Sequence, residues 1–169
     1  MALKTSILAR LSATLTSALD LVTASAPLTR DLSFDWTSGT GANEADKVFS
    51  DSRTISASSS EDLDLAGSLV DALGATITFA KIKAILIEAD TGNTNDVVIG
   101  GAASNQFVGP FGSATHTIKV PPGGVFLLAA PKAAGLGSVT AGTGDLLKVA
   151  NSSSGSSVTY RITIIGTSA

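Results

Sequence analysis

Short runs of strand-forming residues, separated by turn signals, are the feature that most constrains how this chain can fold. The chain contains roughly eight to ten such runs, and no long helical pattern follows residue 22. The strongest runs are Ile82–Ile87, Val125–Leu128 and Val158–Ile165, which are apolar enough to be core strands. Many short strands with turns between them are typical of two packed antiparallel sheets. The sequence therefore predicts an all-β fold, an antiparallel β-sandwich that is jelly-roll-like.

Other segments carry weaker signals of local structure. In Leu32–Trp36 apolar and polar residues alternate, which predicts a core strand with the only tryptophan facing inward. The stretch Ser38–Asp51 is rich in glycine and small polar residues, and it indicates a long loop with one helical turn at Glu44–Phe49. A spacing that resembles a helix capping box predicts one or two helical turns over residues 68–73.

The first 27 residues follow a pattern of their own. Leucines and small residues alternate with polar ones over residues 11–21, and this period of two favours an extended arm or a strand. Leu11, Leu15 and Leu19 also fit helical spacing, and a short helix over residues 3–10 is a further alternative. Two interpretations follow for the division of the chain. Residues 1–27 are an N-terminal extended arm, or they are the first strand of the sandwich formed by residues 28–169. An arm that is also the first strand and is exchanged between subunits would satisfy both.

Composition narrows the classes of function. The chain has 169 residues, the length of one domain, with 15% charged residues and a formal net charge of −3. Its 11 Lys and Arg residues are scattered, so no basic stripe indicates a nucleic-acid partner. No apolar run approaches the roughly 18 residues that cross a bilayer, so no membrane partner is expected. The absence of cysteine excludes disulfides, thiol catalysis and cysteine-zinc sites.

Few residues of this chain are suited to catalysis or to metal binding. The single histidine, His116, alternates with Ile118 and Val120, which indicates the polar face of a strand and not a catalytic triad. Two acidic clusters offer oxygen ligands without the spacing of a calcium loop: Glu61, Asp62 and Asp64, and Asp90, Asn93, Asn95 and Asp96. We therefore expect no enzyme activity, no cofactor and no metal site.

Four stretches of sequence are the most distinctive in the rest of the chain. They are GTGANEADKVFSDSRT, EDLDLAGSLVDALGATITFAKIKAILI, VPPGGVFLLAAP and GTGDLLKVANSSSGSSVTYRITIIGTS. Together they resemble a group of small virion structural proteins of tailed bacteriophages. The resemblance runs from about Leu28 to Ala169 and leaves the first 27 residues outside it. The shared sequence consists of turns and strands without a catalytic signature, so no functional residue is transferred from that group.

The resemblance implies a particle component, foremost a capsid decoration or cement protein that binds and stabilises the outer surface of the head. The expected partner is then the major capsid protein, and the expected location is the virion surface. Such proteins usually occupy local three-fold axes, which implies a homo-oligomer, foremost a trimer. The alternative is a tail, neck or fibre component with a receptor-binding role. In both cases the candidate capsid or subunit interface is the set of N-terminal leucines, Leu11, Leu15, Leu19 and Leu21.

Overall fold

The structure is a computed structural model that describes residues 2–169. Within that range the chain forms thirteen β-strands and no helix. In chain order the strands are β1 (Thr5–Ala18), β2 (Thr23–Trp36), β3 (Lys47–Ile55), β4 (Ser60–Asp64), β5 (Leu69–Val70), β6 (Thr76–Ile77), β7 (Lys81–Ala89), β8 (Val97–Gly100), β9 (Thr117–Val120), β10 (Val125–Ala129), β11 (Gly137–Ser138), β12 (Leu146–Asn151) and β13 (Val158–Thr167). The prediction of an all-β protein is confirmed.

Two antiparallel sheets form the body of the molecule. The five-stranded sheet has the order β10-β7-β13-β3, with β11 paired to β7, and the four-stranded sheet has the order β4-β12-β8-β9. Among the eight longer strands of these sheets, β8 and β9 are the consecutive pair within one sheet. Every other step along the chain between those eight strands changes sheets. The predicted antiparallel sandwich is therefore confirmed.

The main core lies between the two sheets. Alternate residues of each strand point inward, since successive side chains of a strand lie on opposite faces. The five-stranded sheet contributes an isoleucine ladder, in which Ile162 and Ile164 of β13 lie opposite Ile87 and Ile85 of β7. The four-stranded sheet contributes Ile99 and other buried residues, among them Val97, Leu147 and Val149. Each fully buried side chain of this size contributes about 1.5–3 kcal/mol, so burial of both sheets in this core stabilises the fold.

A second apolar cluster lies on the outer face of the five-stranded sheet. Trp36, at the end of β2, packs there with Ala45, Ala84 and Ile165, and all four are buried. Phe34 stacks on Trp36 with ring centroids 5.9 Å apart. Because this cluster covers the outer face near Ala84 while the core covers the inner face, β7 is buried on both faces there.

Lys83 connects the loops around this second cluster. Its side chain is buried, and Nζ donates to the carbonyl oxygens of Gly41 at 3.0 Å, Lys132 at 2.6 Å and Ala133 at 3.0 Å. Burial lowers the pKa of the Lys83 ammonium, and the charge of Lys81 lowers it further. Three carbonyls satisfy the three donors of the ammonium, so the glycine-rich loop after β2 has a defined position.

Several local predictions are wrong. The alternative of a helix over residues 3–10 fails because those residues belong largely to β1. The helical turn predicted at Glu44–Phe49 is replaced by the start of β3, because Phe49 lies inward as part of the sandwich core. The turns predicted over residues 68–73 are a short hairpin of β5 and β6, in which the Asp71 carboxylate accepts from the Leu73 and Ala75 amides.

Two predicted core strands are also wrong in part. Leu32 in β2 and Val125 in β10 are exposed, because each lies on a surface that no other element of the described chain covers. Trp36 is buried as predicted, but against the outside of a sheet and not between the two sheets. Alternation correctly indicated which side chains share a face, but not what that face meets.

Candidate functional site

The N-terminal strands form a long hairpin that is separate from both sheets. β1 and β2 have 14 residues each and pair only with one another, from Thr5 opposite Trp36 to Ala18 opposite Thr23. At about 3.4 Å per residue, this hairpin is roughly 45 Å long. The Leu19 amide donates to the Val22 carbonyl at 2.9 Å and closes the tip. Residues 11–21 are therefore not a strand of the sandwich, and the division expected after residue 27 falls inside β2.

The two faces of the hairpin differ in chemistry. Residues directly opposite in an antiparallel pair share a face, so the register assigns every side chain. We define the apolar hairpin face as the side carrying Thr5, Ile7, Ala9, Leu11, Ala13, Leu15, Ser17, Ala24, Ala26, Leu28, Arg30, Leu32, Phe34 and Trp36. The opposite face carries mainly Ser, Thr and charged residues, including the pair of Arg10 and Asp31 with an N–O distance of 3.5 Å. The hairpin is therefore amphipathic.

The apolar hairpin face is covered at its base and open along the rest of its length. At the base, Ile7 and Phe34 pack into the second apolar cluster with Trp36. Farther out, Leu15 is 77% exposed and Leu28 is 52% exposed. No other element of the part of the chain that the structure describes packs on this outer portion. A contiguous exposed apolar strip of this kind commonly marks an interaction surface, so this strip is the candidate site.

The structure divides the four predicted interface leucines into two pairs. Leu11 and Leu15 lie on the apolar hairpin face, as alternation predicts. Leu19 and Leu21 lie in the loop at the tip, where Leu21 is 98% exposed. Sequence reasoning missed Leu28 and Leu32, which complete the apolar face from β2. Their alternation was visible, but pairing with β1 was needed to place them beside Leu11 and Leu15.

A second exposed apolar surface lies on the outer face of the five-stranded sheet. Val125 and Leu127 of β10 lie opposite Glu88 and Leu86 of β7, and this part of the face is not covered by the hairpin base. A shallow cleft of about 380 Å³ lies at the end of this surface, and Glu88, Val125 and Arg161 are among its lining residues. The sheet thus has one covered and one open half on its outer side.

In the first acidic cluster, Glu61 joins the two sheets. Glu61 of β4 accepts from Arg53 Nη1 at 2.7 Å and from the Tyr160 hydroxyl at 2.9 Å. Burial raises the pKa of Tyr160, and the charge of Glu61 and its hydrogen bond raise it further. Burial lowers the pKa of Arg53, but the hydrogen bond and charge of Glu61 outweigh this, so the pKa is raised overall. This arrangement is a structural bridge between the sheets.

Residues of the second acidic cluster form hydrogen bonds within their own turn and to neighbouring strands. Asp90 Oδ1 accepts from the Gly92 amide at 2.8 Å, and Asn93 Nδ2 donates to the Thr159 carbonyl at 2.8 Å. The nearby Asn95 donates to Asn151 Oδ1 at 2.9 Å. These groups are directed at protein partners. Within residues 2–169, no three His, Asp or Glu side chains are grouped so that they could hold a metal ion.

His116 lies just before β9, where it is exposed as predicted. Its Nδ1 is 2.8 Å from the Phe111 carbonyl, so the ring holds the preceding loop against the start of the strand. No acidic partner hydrogen-bonds to the ring among the described residues. The imidazole is therefore a loop-positioning group in this structure.

Comparison with known proteins adds no relative. No protein-family model matches the chain, no curated protein matches it, and no solved structure matches it. Within the part of the chain that the structure describes, no helix is long and apolar enough to cross a bilayer. The function must therefore be inferred from the surfaces of the molecule itself, and the amphipathic hairpin is the most distinctive of them.

Proposed function

We propose that this protein is a structural component of a tailed-phage particle that decorates the outer surface of the head. The observation that carries the proposal is the exposed apolar surface of the hairpin, which comprises the apolar hairpin face and the leucines of the tip. Burying the exposed half of one leucine contributes about 1 kcal/mol, so four of them supply roughly 4 kcal/mol towards assembly on the particle. A surface of this kind suits permanent attachment, and the resemblance to virion structural proteins supports a phage particle as the place of attachment.

The winding of the sandwich supports the same proposal. Two four-strand arrays with the orders β10-β7-β13-β3 and β4-β12-β8-β9, joined by steps that change sheets, fit a jelly roll. Jelly rolls are common among capsid domains. We include this topology in the proposal, as the compact body from which the hairpin projects.

We assign the hairpin tip to the contact with the shell. Leu19, Leu21 and Val22 are all exposed there and lie farthest from the sandwich along the hairpin. The major capsid protein is the partner in this proposal, and the tip would enter an apolar recess on its surface. The rest of the apolar hairpin face remains available for contacts between decoration subunits.

The alternative of a receptor-binding tail or fibre protein is less well supported by the surface. Binding of glycans relies on aromatic side chains with an open face. Here Trp36 is 1% exposed and Tyr160 is 0% exposed, although Tyr160 borders the cleft on the five-stranded sheet. The cleft is therefore lined by polar and small aliphatic groups without an aromatic platform.

The proposal is tested with a shortened hairpin. Residues 10–31 are replaced by Asn-Gly, a two-residue turn that suits a hairpin, between Ala9 and its register partner Leu32. This variant keeps the cluster around Trp36 and should fold. We expect it to leave heads assembled without the protein bare, while the full chain coats them, as measured by cryo-electron microscopy and co-sedimentation.

The matched control is Leu8→Ser, which removes an exposed leucine from the polar face of the same hairpin. It should coat heads like the full chain. If the shortened variant coats heads at full occupancy, the proposed role of the hairpin is wrong. The binding surface would then have to be sought in the loop between β2 and β3, residues 37–46, or in the loop between β8 and β9, residues 101–116.

A further inference from the structure

We propose that the apolar hairpin face of one copy packs on the open half of the outer face of the five-stranded sheet of a second copy. The open half is defined by Leu86, Glu88, Val125 and Leu127. The contact is head-to-tail, because the two copies contribute different surfaces. This inference does not rest on head decoration and would hold for any assembly that the protein forms.

The hairpin contributes a strip of leucines with one charge in it. Arg30 lies directly opposite Leu11, between Leu28 and Leu32 along β2. No carboxylate lies on the apolar hairpin face, and Arg30 forms no ion pair within residues 2–169. A partner that buries this face must therefore offer an acidic group beside apolar side chains, because an unpaired buried charge is costly.

This charge argues against hairpins packing face to face. Two apolar hairpin faces in contact would bury two copies of Arg30 and no carboxylate. The loss of hydration would have no compensating ion pair on either side. A second hairpin is thus a poor occupant for this surface, although its leucines would be compatible.

The sheet contributes the complementary surface. Leu86 and Leu127 are opposite one another, and Glu88 and Val125 form the next row on the same face. Glu88 is exposed and forms no ion pair within the described residues, although Arg161 of β13 lies directly opposite it on the same face. The sheet therefore offers apolar side chains beside one carboxylate, which Arg30 of the second copy would share with Arg161.

The spacings of the two surfaces also agree. Arg30 is two residues from Leu28 and from Leu32, and Glu88 is two residues from Leu86, so each charge is about 7 Å from a leucine on the same face. A hairpin laid along β7 can therefore place Arg30 on Glu88 and a leucine on Leu86 at the same time. The direction of the hairpin decides whether that leucine is Leu28 or Leu32.

The occupant is a second copy because the chain cannot make this contact with itself. The base of its own hairpin is fixed at the other half of the same sheet, on Ala84 and Ile165. From there the outer portion leads away from the sandwich, and its leucines remain exposed. A head-to-tail contact between identical copies closes into a ring or continues as a chain, and a ring of three copies fits the expected trimer.

Charge reversal tests the contact in the full chain. We expect Arg30→Glu and Glu88→Arg each to weaken self-association about tenfold or more, since each brings like charges together. The double variant should regain most of the lost affinity. Light scattering over a concentration series reports the mass, which is a multiple of 16.8 kDa for the assembly. The control Arg10→Glu, on the polar face of the hairpin, should leave the mass unchanged.

Cysteine pairing gives an independent test, because the chain has no cysteine of its own. Leu86→Cys is combined with Leu28→Cys in one variant and with Leu32→Cys in another. We expect one of the two to form a disulfide between copies under mild oxidation, which would also give the direction of the hairpin. The inference is overturned if neither forms, if double charge reversal restores nothing, if Leu15→Cys alone links hairpins, or if the full chain is a monomer at all concentrations.

Discussion

At the scale of single residues, the bridge around Tyr160 links the two sheets at a fully buried position. Tyr160→Phe removes the hydroxyl that donates to Glu61 and changes little else. We expect it to lower the free energy of unfolding by about 1–2 kcal/mol at neutral pH, because a hydrogen bond to a carboxylate is lost. Urea denaturation of both proteins measures this difference. An unchanged midpoint would show that Glu61 is satisfied by Arg53 alone.

The same residue gives the protein an alkaline limit. The pKa of Tyr160 is raised in the folded state from an ordinary value near 10, so folding favours the neutral phenol. Its contribution to stability is complete below about pH 10 and falls above that, by up to about 1.4 kcal/mol per pH unit. We expect the stability of Tyr160→Phe to fall less between pH 9.5 and 11. Parallel slopes for the two proteins would contradict this.

Lys83 is the other buried ionisable residue with a clear structural role. Lys83→Met leaves the carbonyls of Gly41, Lys132 and Ala133 without their donor. We expect a loss of about 2–4 kcal/mol, since unsatisfied buried acceptors are costly. Calorimetry should show a lower melting temperature, whereas the control Lys119→Met, on an exposed side chain of β9, should not. A melting temperature as high as that of the parent would rule out this role for the ammonium.

At the scale of strands, residues on the inner and outer faces of the five-stranded sheet should differ sharply in their tolerance of a charged substitution. Ile164 is fully buried between the sheets, while Leu86 is on the outer face. Ile164→Asp should unfold the protein, because an unpaired buried carboxylate costs several kcal/mol. Leu86→Asp should fold with a melting temperature close to that of the parent. Circular dichroism distinguishes these outcomes, and an unfolded Leu86→Asp would mean that its face is covered within one copy.

This pair also shows what periodicity reveals. The runs Ile82–Ile87 and Val158–Ile165 were predicted as core strands, and they form the central pair of the five-stranded sheet. An uninterrupted apolar run signals burial on both faces, but it does not say how far along the strand each face is covered. Leu86 lies beyond the reach of the hairpin base, so it is half-exposed despite its apolar neighbours.

The hairpin was the element that the sequence described least well. Both halves of its pattern were visible, as alternating leucines in residues 11–21 and as alternation in Leu32–Trp36. Their pairing is a contact between distant residues, and no short turn motif such as Asn-Gly announced it. Pro27 lies within β2, opposite Thr14 of β1. A strand with one free edge tolerates a residue that has no amide donor.

The tip of the hairpin and the apolar hairpin face should have separable roles. Leu21→Ser alters the tip only, while Arg30→Glu alters the apolar hairpin face. We expect Leu21→Ser to keep the mass of the assembly and to bind heads at least about tenfold more weakly, since it removes a leucine from the shell contact. Arg30→Glu should instead lower the mass of the assembly, because it disturbs the contact between copies. A Leu21→Ser protein that binds heads with full affinity would mean that the tip does not touch the shell.

At the scale of the whole molecule, the structure combines a closed body with an open appendage. In the body, the buried residues of both sheets share one core, and Glu61 and Asp90 of the acidic clusters have protein partners. The composition predicted such a body, because low charge and many β-formers suit packed sheets. The candidate site was harder to predict, because an exposed leucine and a buried one look alike in sequence until the pairing of strands is known.

This division predicts two levels of protection against amide hydrogen exchange. Strand β13 is hydrogen-bonded on both sides, to β7 and β3, and it lies on the main core, so its amides should open only with global unfolding. In β1 and β2 each strand has a single partner and the outer portion has no packing layer, so local opening suffices. In the Arg30→Glu protein, at a concentration at which light scattering shows a monomer, we expect hairpin amides beyond Ala9 to exchange at least about a hundredfold faster than those of β13. In the assembled full chain the same amides should slow by about tenfold or more, because a neighbour then covers the apolar hairpin face.

Exchange measured by mass spectrometry on both samples tests this prediction, with peptides from β13 as the internal reference. Hairpin amides that exchange equally fast in monomer and assembly would mean that the apolar hairpin face stays open, and that the subunits meet elsewhere.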